Sequence, residues 1–172
     1  DADHFTTAAH DLVSNGMSWF GVYVQDAGAG KTILQHSSAF SQNDVFVHTG
    51  ATAKVFGSSS TNFANGGVQN IPLLRGFTAT QGMVSTNYDN GETVSFTAGT
   101  DTDGAEPFYI GVRSNLGQPY DGRMAEMIIY DANVDVGTQV TQIQSYLALK
   151  YGVSLDQTVA QDYLASDGTT KM

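Results

Sequence analysis

Apolar and polar positions along this chain repeat mostly with a period of two. Residues 17–25 are the clearest run. Trp19, Gly21 and Tyr23 fall on one side, and Phe20, Val22 and Val24 on the other. That is the spacing of a strand whose successive side chains point to opposite faces. Residues 26–30 read as a turn and 31–36 as the hairpin partner. Residues 45–49 and 53–56 predict two further strands around Gly50. Residues 57–67, rich in Ser, Asn and Gly, predict a loop. Strands follow at 71–78 and 82–88. The Asn90-Gly91 pair predicts a tight hairpin turn into 93–98, because both residues accept positive φ. Near the start, Phe5, Leu12 and Val13 allow either a short helix or an edge strand.

The last third changes period. Residues 108–112 and 124–130 are short runs of β-branched, aromatic and other apolar residues. In the second, Ala125, Met127 and Ile129 share one face, and Met124, Glu126, Ile128 and Tyr130 the other. Two largely apolar faces suit a strand with protein on both sides. Val140, Ile143, Leu147 and Tyr151 then recur at spacings of three and four, which predicts a helix over 138–151. Thr138 is placed as its N-cap and Gly152 to end it in a left-handed turn.

Gly122, residues 124–130 and residues 146–152 together resemble the C-terminal end of laminin-G-like, concanavalin A-like jelly-roll domains, of the kind found in large bacterial surface adhesins. That pattern is a strand with Ala-Glu at its centre and Tyr at its end, a polar turn, and a helix closing on Tyr-Leu-Ala-x-Lys-Tyr-Gly. The resemblance covers about 45 residues and continues more loosely upstream, with nothing specific in 38–70. It implies an all-β fold: a two-sheet antiparallel jelly-roll β-sandwich with a short C-terminal helix. It also implies an extracellular or bacterial cell-surface location. Fold alone does not specify a ligand.

Length and composition agree. The chain has 172 residues, 19 of them Gly and 3 Pro. That suits one sandwich domain over 1–172, with 153–172 expected as a tail leading towards a further module. No apolar run reaches membrane-span length. There is no Cys, which removes disulfides, thiol chemistry and most zinc sites. The net charge is −10, with 14 Asp, 3 Glu and 7 Lys plus Arg. So few cations argue against nucleic acid as a partner. Abundant Asp suits calcium binding, since short carboxylates and turn carbonyls make oxygen cages. It equally suits solubility in a salty habitat.

Two groups of residues are candidate sites. Asp101 and Asp103, in the loop ending at Glu106, could direct two carboxylates at one Ca2+ ion, with Asp121 as a third ligand. The alternative is a hydrated turn. Asp26, Asp44 and Asp131 are weaker candidates of the same kind. Tyr88, Asp89 and Asn90, with Arg113, Asn115 and Tyr120, could form a loop surface for a glycan or peptide. Ser114 and Gln118 stand beside them. The alternative is that Tyr88 and Tyr120 close the core edge and Asn90 supplies a positive φ. Glu126 lies alone among apolar neighbours, and the paired carboxylates of a glycosidase are missing. His4, His10, His36 and His48 show no ligand spacing on a helix.

These readings point to a non-catalytic binding module of a surface or secreted adhesin. It would recognise a glycan or peptide through rim loops with calcium assistance. Neighbouring domains of the same polypeptide are the other expected partners. The alternatives are a spacer without its own ligand and, last, a polysaccharide-cleaving enzyme.

Overall fold

The computed structural model describes the chain except residues 1–3, 11–15, 27–29, 38–44, 50–51, 58–60, 64–69, 101–103 and 159–161. Its strands are β1 (Phe5–His10), β2 (Met17–Gln25), β3 (Thr32–His36), β4 (Val45–His48), β5 (Thr52–Val55), β6 (Thr61–Asn62), β7 (Leu73–Ala79), β8 (Val84–Asp89), β9 (Glu92–Thr97), β10 (Glu106–Ile110) and β11 (Gly122–Tyr130). One helix, α1 (Gln139–Tyr151), follows. The strands form two antiparallel sheets. Sheet A runs β1-β10-β3-β4-β5-β6, and sheet B runs β11-β2-β7-β8-β9. This is the expected β-sandwich with a short C-terminal helix.

The alternation read in β2 separates two cores. Trp19 and Tyr23 point between the sheets, where they meet Ile33, Leu34, Val45, Val47, Val55, Phe56, Phe77 and Phe108. Phe20 and Val22 point away from sheet A and join Leu74, Tyr88, Val140, Leu147, Val153 and Leu155. Glycine makes this packing possible at one close approach. A Cβ on Gly21 would lie 2.8 Å from the Trp19 indole, so the large ring needs the bare backbone beside it.

Strict alternation fails in β11. Its pairing with β2 shifts between Met124 and Glu126, leaving Ala125 as an extra, exposed residue. The shift turns Met124 to the inter-sheet core with Met127 and Ile129, while Ile128 packs on the helix side. The sequence reading had put Met124 with Ile128.

Helix α1 lies on the outer face of sheet B. Val140, Gln144, Ser145, Leu147 and Ala148 are its buried residues, and Ile143 and Tyr151 pack beside them. The C-terminal expectation holds: Gly152 is left-handed at φ 67° and its N–H bonds to the Ala148 carbonyl. The N-terminal one does not, because the Thr138 side chain makes no capping bond. Where described, residues 153–172 pack back on the helix. Val153 and Leu155 are buried, Ser145 Oγ accepts from the Leu164 N–H at 2.9 Å, and Gln142 Nε2 donates to the Ser166 carbonyl at 2.8 Å.

Two elements were not distinct in the sequence. β1 is exposed along its whole length and pairs with the edge of β10, so it has no apolar rhythm to read. β6 is two residues long and falls in the expected loop.

Candidate functional site

Helix and tail cover the outer face of sheet B, while no helix lies on sheet A among the described residues. The outer face of sheet A follows from its inner one. Val45, Val47, Ala53, Val55 and Phe108 point into the core, so Phe46, His48, Lys54 and Tyr109 point out. Register lines Thr6, Tyr109, Gln35, Phe46 and Lys54 up across five neighbouring strands. The row spans roughly 19 Å at ordinary strand spacing.

Above this row the β10–β11 connection folds back over the sheet. Arg113 lays its guanidinium over the Phe46 ring, 4.8 Å from the centroid, and makes a 3.1 Å hydrogen bond to His48 Nε2. The Phe46 and His48 rings meet edge to face at 3.9 Å. Gln35 holds the loop at two points. Its Oε1 accepts from the Ser114 N–H at 3.0 Å, and its Nε2 donates to Ser114 Oγ at 3.3 Å. Arg113 is thereby fixed by a ring, an imidazole and a glutamine-clamped backbone.

The electrostatics follow from burial. Desolvation, then the Arg113 charge, lowers the His48 pKa from its ordinary 6.5 to about 4. At neutral pH the imidazole is uncharged, so Nε2 is the acceptor and Arg113 the donor. Burial also pushes the Arg113 pKa down. The unfolded chain binds the His48 proton more readily than the folded one. The stability gained by keeping His48 neutral is therefore fully present above pH 6.5 and is lost as pH falls towards 4. We expect the melting temperature to drop across that window, and His48→Asn to flatten the drop. An equal drop in both proteins would show that the acid sensitivity lies elsewhere.

The structure sorts the candidate residues. Arg113 and Asn115 belong to the loop over sheet A, where exposed Asn115 turns the chain by accepting from the Gly117 N–H at 2.9 Å. Tyr120 is half-buried, packs edge-on against Tyr23 and donates to the Val24 carbonyl at 2.7 Å. Tyr88 and Asp89 reach the same end of the sandwich but are buried, at 5% and 1% exposure. That corrects their placement on a recognition surface. Tyr88 packs on Phe20. Asp89 pairs with Arg75 at 3.1 Å, and Arg75 also donates to the Tyr23 hydroxyl at 3.1 Å. Asn90 is a stitch rather than a ligand contact. It sits at φ 50°, accepts from the Leu74 N–H at 2.8 Å, and its carbonyl accepts from the Asp156 N–H.

Of the expected calcium ligands, Asp121 is the one that the structure describes. Its carbonyl bonds to the Asp26 N–H, at the end where β2 finishes, and the Asp26 carboxylate is paired with Arg123 at 3.1 Å. Asp101 and Asp103 lie outside the described residues, as does Asp44. Among the described residues no three acids or histidines gather at a spacing that could hold a metal ion.

Glu126 binds Lys150 at 2.9 Å, Tyr151 at 2.8 Å and Tyr146 at 3.2 Å. These contacts tie α1 to β11, and the hydrogen bond from Lys150 leads in lowering its pKa. An open, mainly apolar groove of about 900 Å³ lies beside them, between β11, α1 and the returning tail. Sequence reasoning missed Gln35, Phe46 and their union with His48. A signal was available, since Val-Phe-Val-His in an alternating strand puts an aromatic and an imidazole together on the side opposite two valines.

The model of a family described as a domain of unknown function, DUF8202, matches residues 139–172, the helix and the segment after it. No curated protein matches the chain. Among solved structures, a candidate carbohydrate-binding protein from Bacteroides ovatus superposes with a TM-score of 0.55 at 16% identity. The match covers 77% of this chain and 42% of that one. Trypanosoma rangeli sialidase in complex with sialic acid superposes with a TM-score of 0.55 at 10% identity, over 90% of this chain and 31% of that one. Congerin II, liganded by lactose and MES, gives 0.48 at 12% identity, over 74% of this chain and all of that one. The chain thus spans less than half the length of the first two. At these identities the likeness to the first two shows the fold alone.

Proposed function

We propose that this domain is a non-catalytic glycan-binding module whose ligand lies on the outer face of sheet A. The observation that carries this reading is the partly exposed group of Arg113, His48, Ser114 and Tyr109, held from beneath by the buried Phe46 and Gln35. Sugar rings pack on aromatic faces, and their hydroxyls need donors and acceptors held in place. Preorganised groups lose little entropy on binding. The covered face of sheet B leaves this one for recognition. The fold shared with the candidate carbohydrate-binding protein from Bacteroides ovatus supports the same reading. The setting we propose is a bacterial surface or secreted adhesin, with calcium held at Asp101 and Asp103 as a stabiliser.

A glycan array probed in calcium and in chelator tests both parts. We expect binding by the wild type, loss of it in Arg113→Ala with the melting temperature kept, and weaker binding in chelator. Equal signals in both buffers would remove calcium alone. An array without any signal would remove the glycan module. It would favour the spacer reading, for which the groove beside α1 offers a surface to a neighbouring domain.

A further inference from the structure

We propose that the open edge of β11, over residues 126–130, takes an extended segment of a partner protein as a further strand of sheet B. The segment is apolar at alternate positions and carries Lys or Arg where it passes Asp131. This surface lies apart from the outer face of sheet A and does not rest on the glycan reading.

A sheet edge presents unpaired N–H and C=O groups that another strand can take up. The two sheets end on β1, β6, β9 and β11. The first three are poor acceptors. β1 has its register broken between Thr6 and Ala9, β6 is two residues long, and β9 is polar at Glu92, Thr93, Ser95 and Thr97. β11 is nine residues long. Its first half is blunted by the bulge at Ala125, whose carbonyl accepts from the Tyr151 hydroxyl at 3.3 Å. Residues 126–130 pair with β2 without interruption. Among the described residues no strand pairs with their other edge.

Side chains mark the same stretch. β2, with a strand on each side, buries Trp19, Phe20 and Val22. β11 has one neighbouring strand, and its Met127, Ile128 and Ile129 are half-buried. Alternate side chains of an added strand would fall on two faces. On the inner face they would extend the cover over Met127 and Ile129. On the outer face they would enter the open groove of about 900 Å³ that Ile128, Tyr130, Tyr146 and Leu149 help to line. Tyr146 and Leu149 are exposed there, and a contiguous exposed apolar patch marks a place where a partner binds.

Charge decides between a second copy and a different partner. Residues 126–135 contain three acids, Glu126, Asp131 and Asp135, and no Lys or Arg. Glu126 is paired with Lys150. Asp131 has His10 at 3.3 Å, an imidazole rather than a permanent cation. Asp131 and Asp135 are both exposed. A second copy would bring the same acids and a further net charge of −10, and like charges set side by side in a sheet are destabilising. A segment with Lys or Arg at that end meets the two acids with opposite charge instead. In such strand addition the backbone bonds supply affinity, and the alternate side chains supply selectivity.

The test is selection of short random peptides displayed on phage against the domain, then titration of the recovered peptides. We expect sequences apolar at every second position and carrying Lys or Arg. N-methylation at one set of alternate peptide amides should abolish binding, and at the other set should spare it, because one edge of the peptide faces β11. Bound peptide should slow the exchange of amides within residues 126–130 at least tenfold and leave those of β4 unchanged. Tyr130→Ser and Leu149→Ser, both at exposed positions, should each weaken binding at least tenfold with the melting temperature kept. A selection without enrichment, or peptides whose binding shows no alternation under N-methylation, would overturn the strand assignment. Peptides indifferent to both substitutions, with exchange at β11 unchanged, would bind elsewhere and overturn it too. A dimer in sedimentation that the same substitutions dissolve would give the edge to a second copy and remove the partner. None of these outcomes depends on the glycan array.

Discussion

Asp89→Asn should cost the domain about 3–5 kcal/mol, because it leaves a buried guanidinium without its counter-charge. Arg75 and Asp89 are 0% and 1% exposed, with 3.1 Å between their charged atoms. Burial alone would lower the Arg75 pKa, but Tyr23 and Asp89 outweigh it and hold it up. The Phe63 ring lies 5.0 Å from the guanidinium. The same burial raises the Tyr23 hydroxyl to about 12, so it stays protonated as a neutral partner. Replacing both charges, as in Arg75→Met with Asp89→Leu, should return most of the loss, since the pair costs desolvation as well as supplying attraction. Urea unfolding midpoints measure both. A single substitution no more harmful than a surface one would mean that water reaches the pair.

Leu147→Ala should cost about 2–5 kcal/mol. Leu147 is fully buried and sits where α1 meets Phe20, Val22 and Leu74 of sheet B. The spread depends on how far the helix can settle into the space left behind. A melting curve unchanged from the wild type would show that α1 does not dock in solution. The Glu126 contacts with Tyr146, Lys150 and Tyr151 would then be too weak to matter, as exposed ion pairs commonly are.

Strand β2 was readable residue by residue because each face meets its own core, so both sets of side chains had to be apolar. β11 was readable as a strand but not in its facing, because a bulge at Ala125 has no signature among apolar neighbours. The helix was readable from Val140 and Leu147, while Ser145 is bonded to Leu164 of the returning tail, a contact no periodicity announces. Asp89 looked like a rim residue because Asn90-Gly91 follows it. Its true partner, Arg75, is fourteen residues away on the adjacent strand. Only the pairing of β7 with β8 puts the two charges together inside the sandwich. Arg113 was readable as a loop cation, but its position over Phe46 depends on how β10 and β4 flank β3.

Strand β2 also decides how the domain comes apart. It is hydrogen-bonded to β11 on one side and β7 on the other, and its alternate side chains are shared between the two cores. Neither core can melt without releasing the strand that belongs to the other. Unfolding should therefore be a single cooperative event, with the amides of β2 exchanging only through global opening. The exposed β1 lies at the edge of sheet A and should open at lower cost. Mechanical or thermal stress would peel the edge of sheet A long before it separates the two layers built on β2.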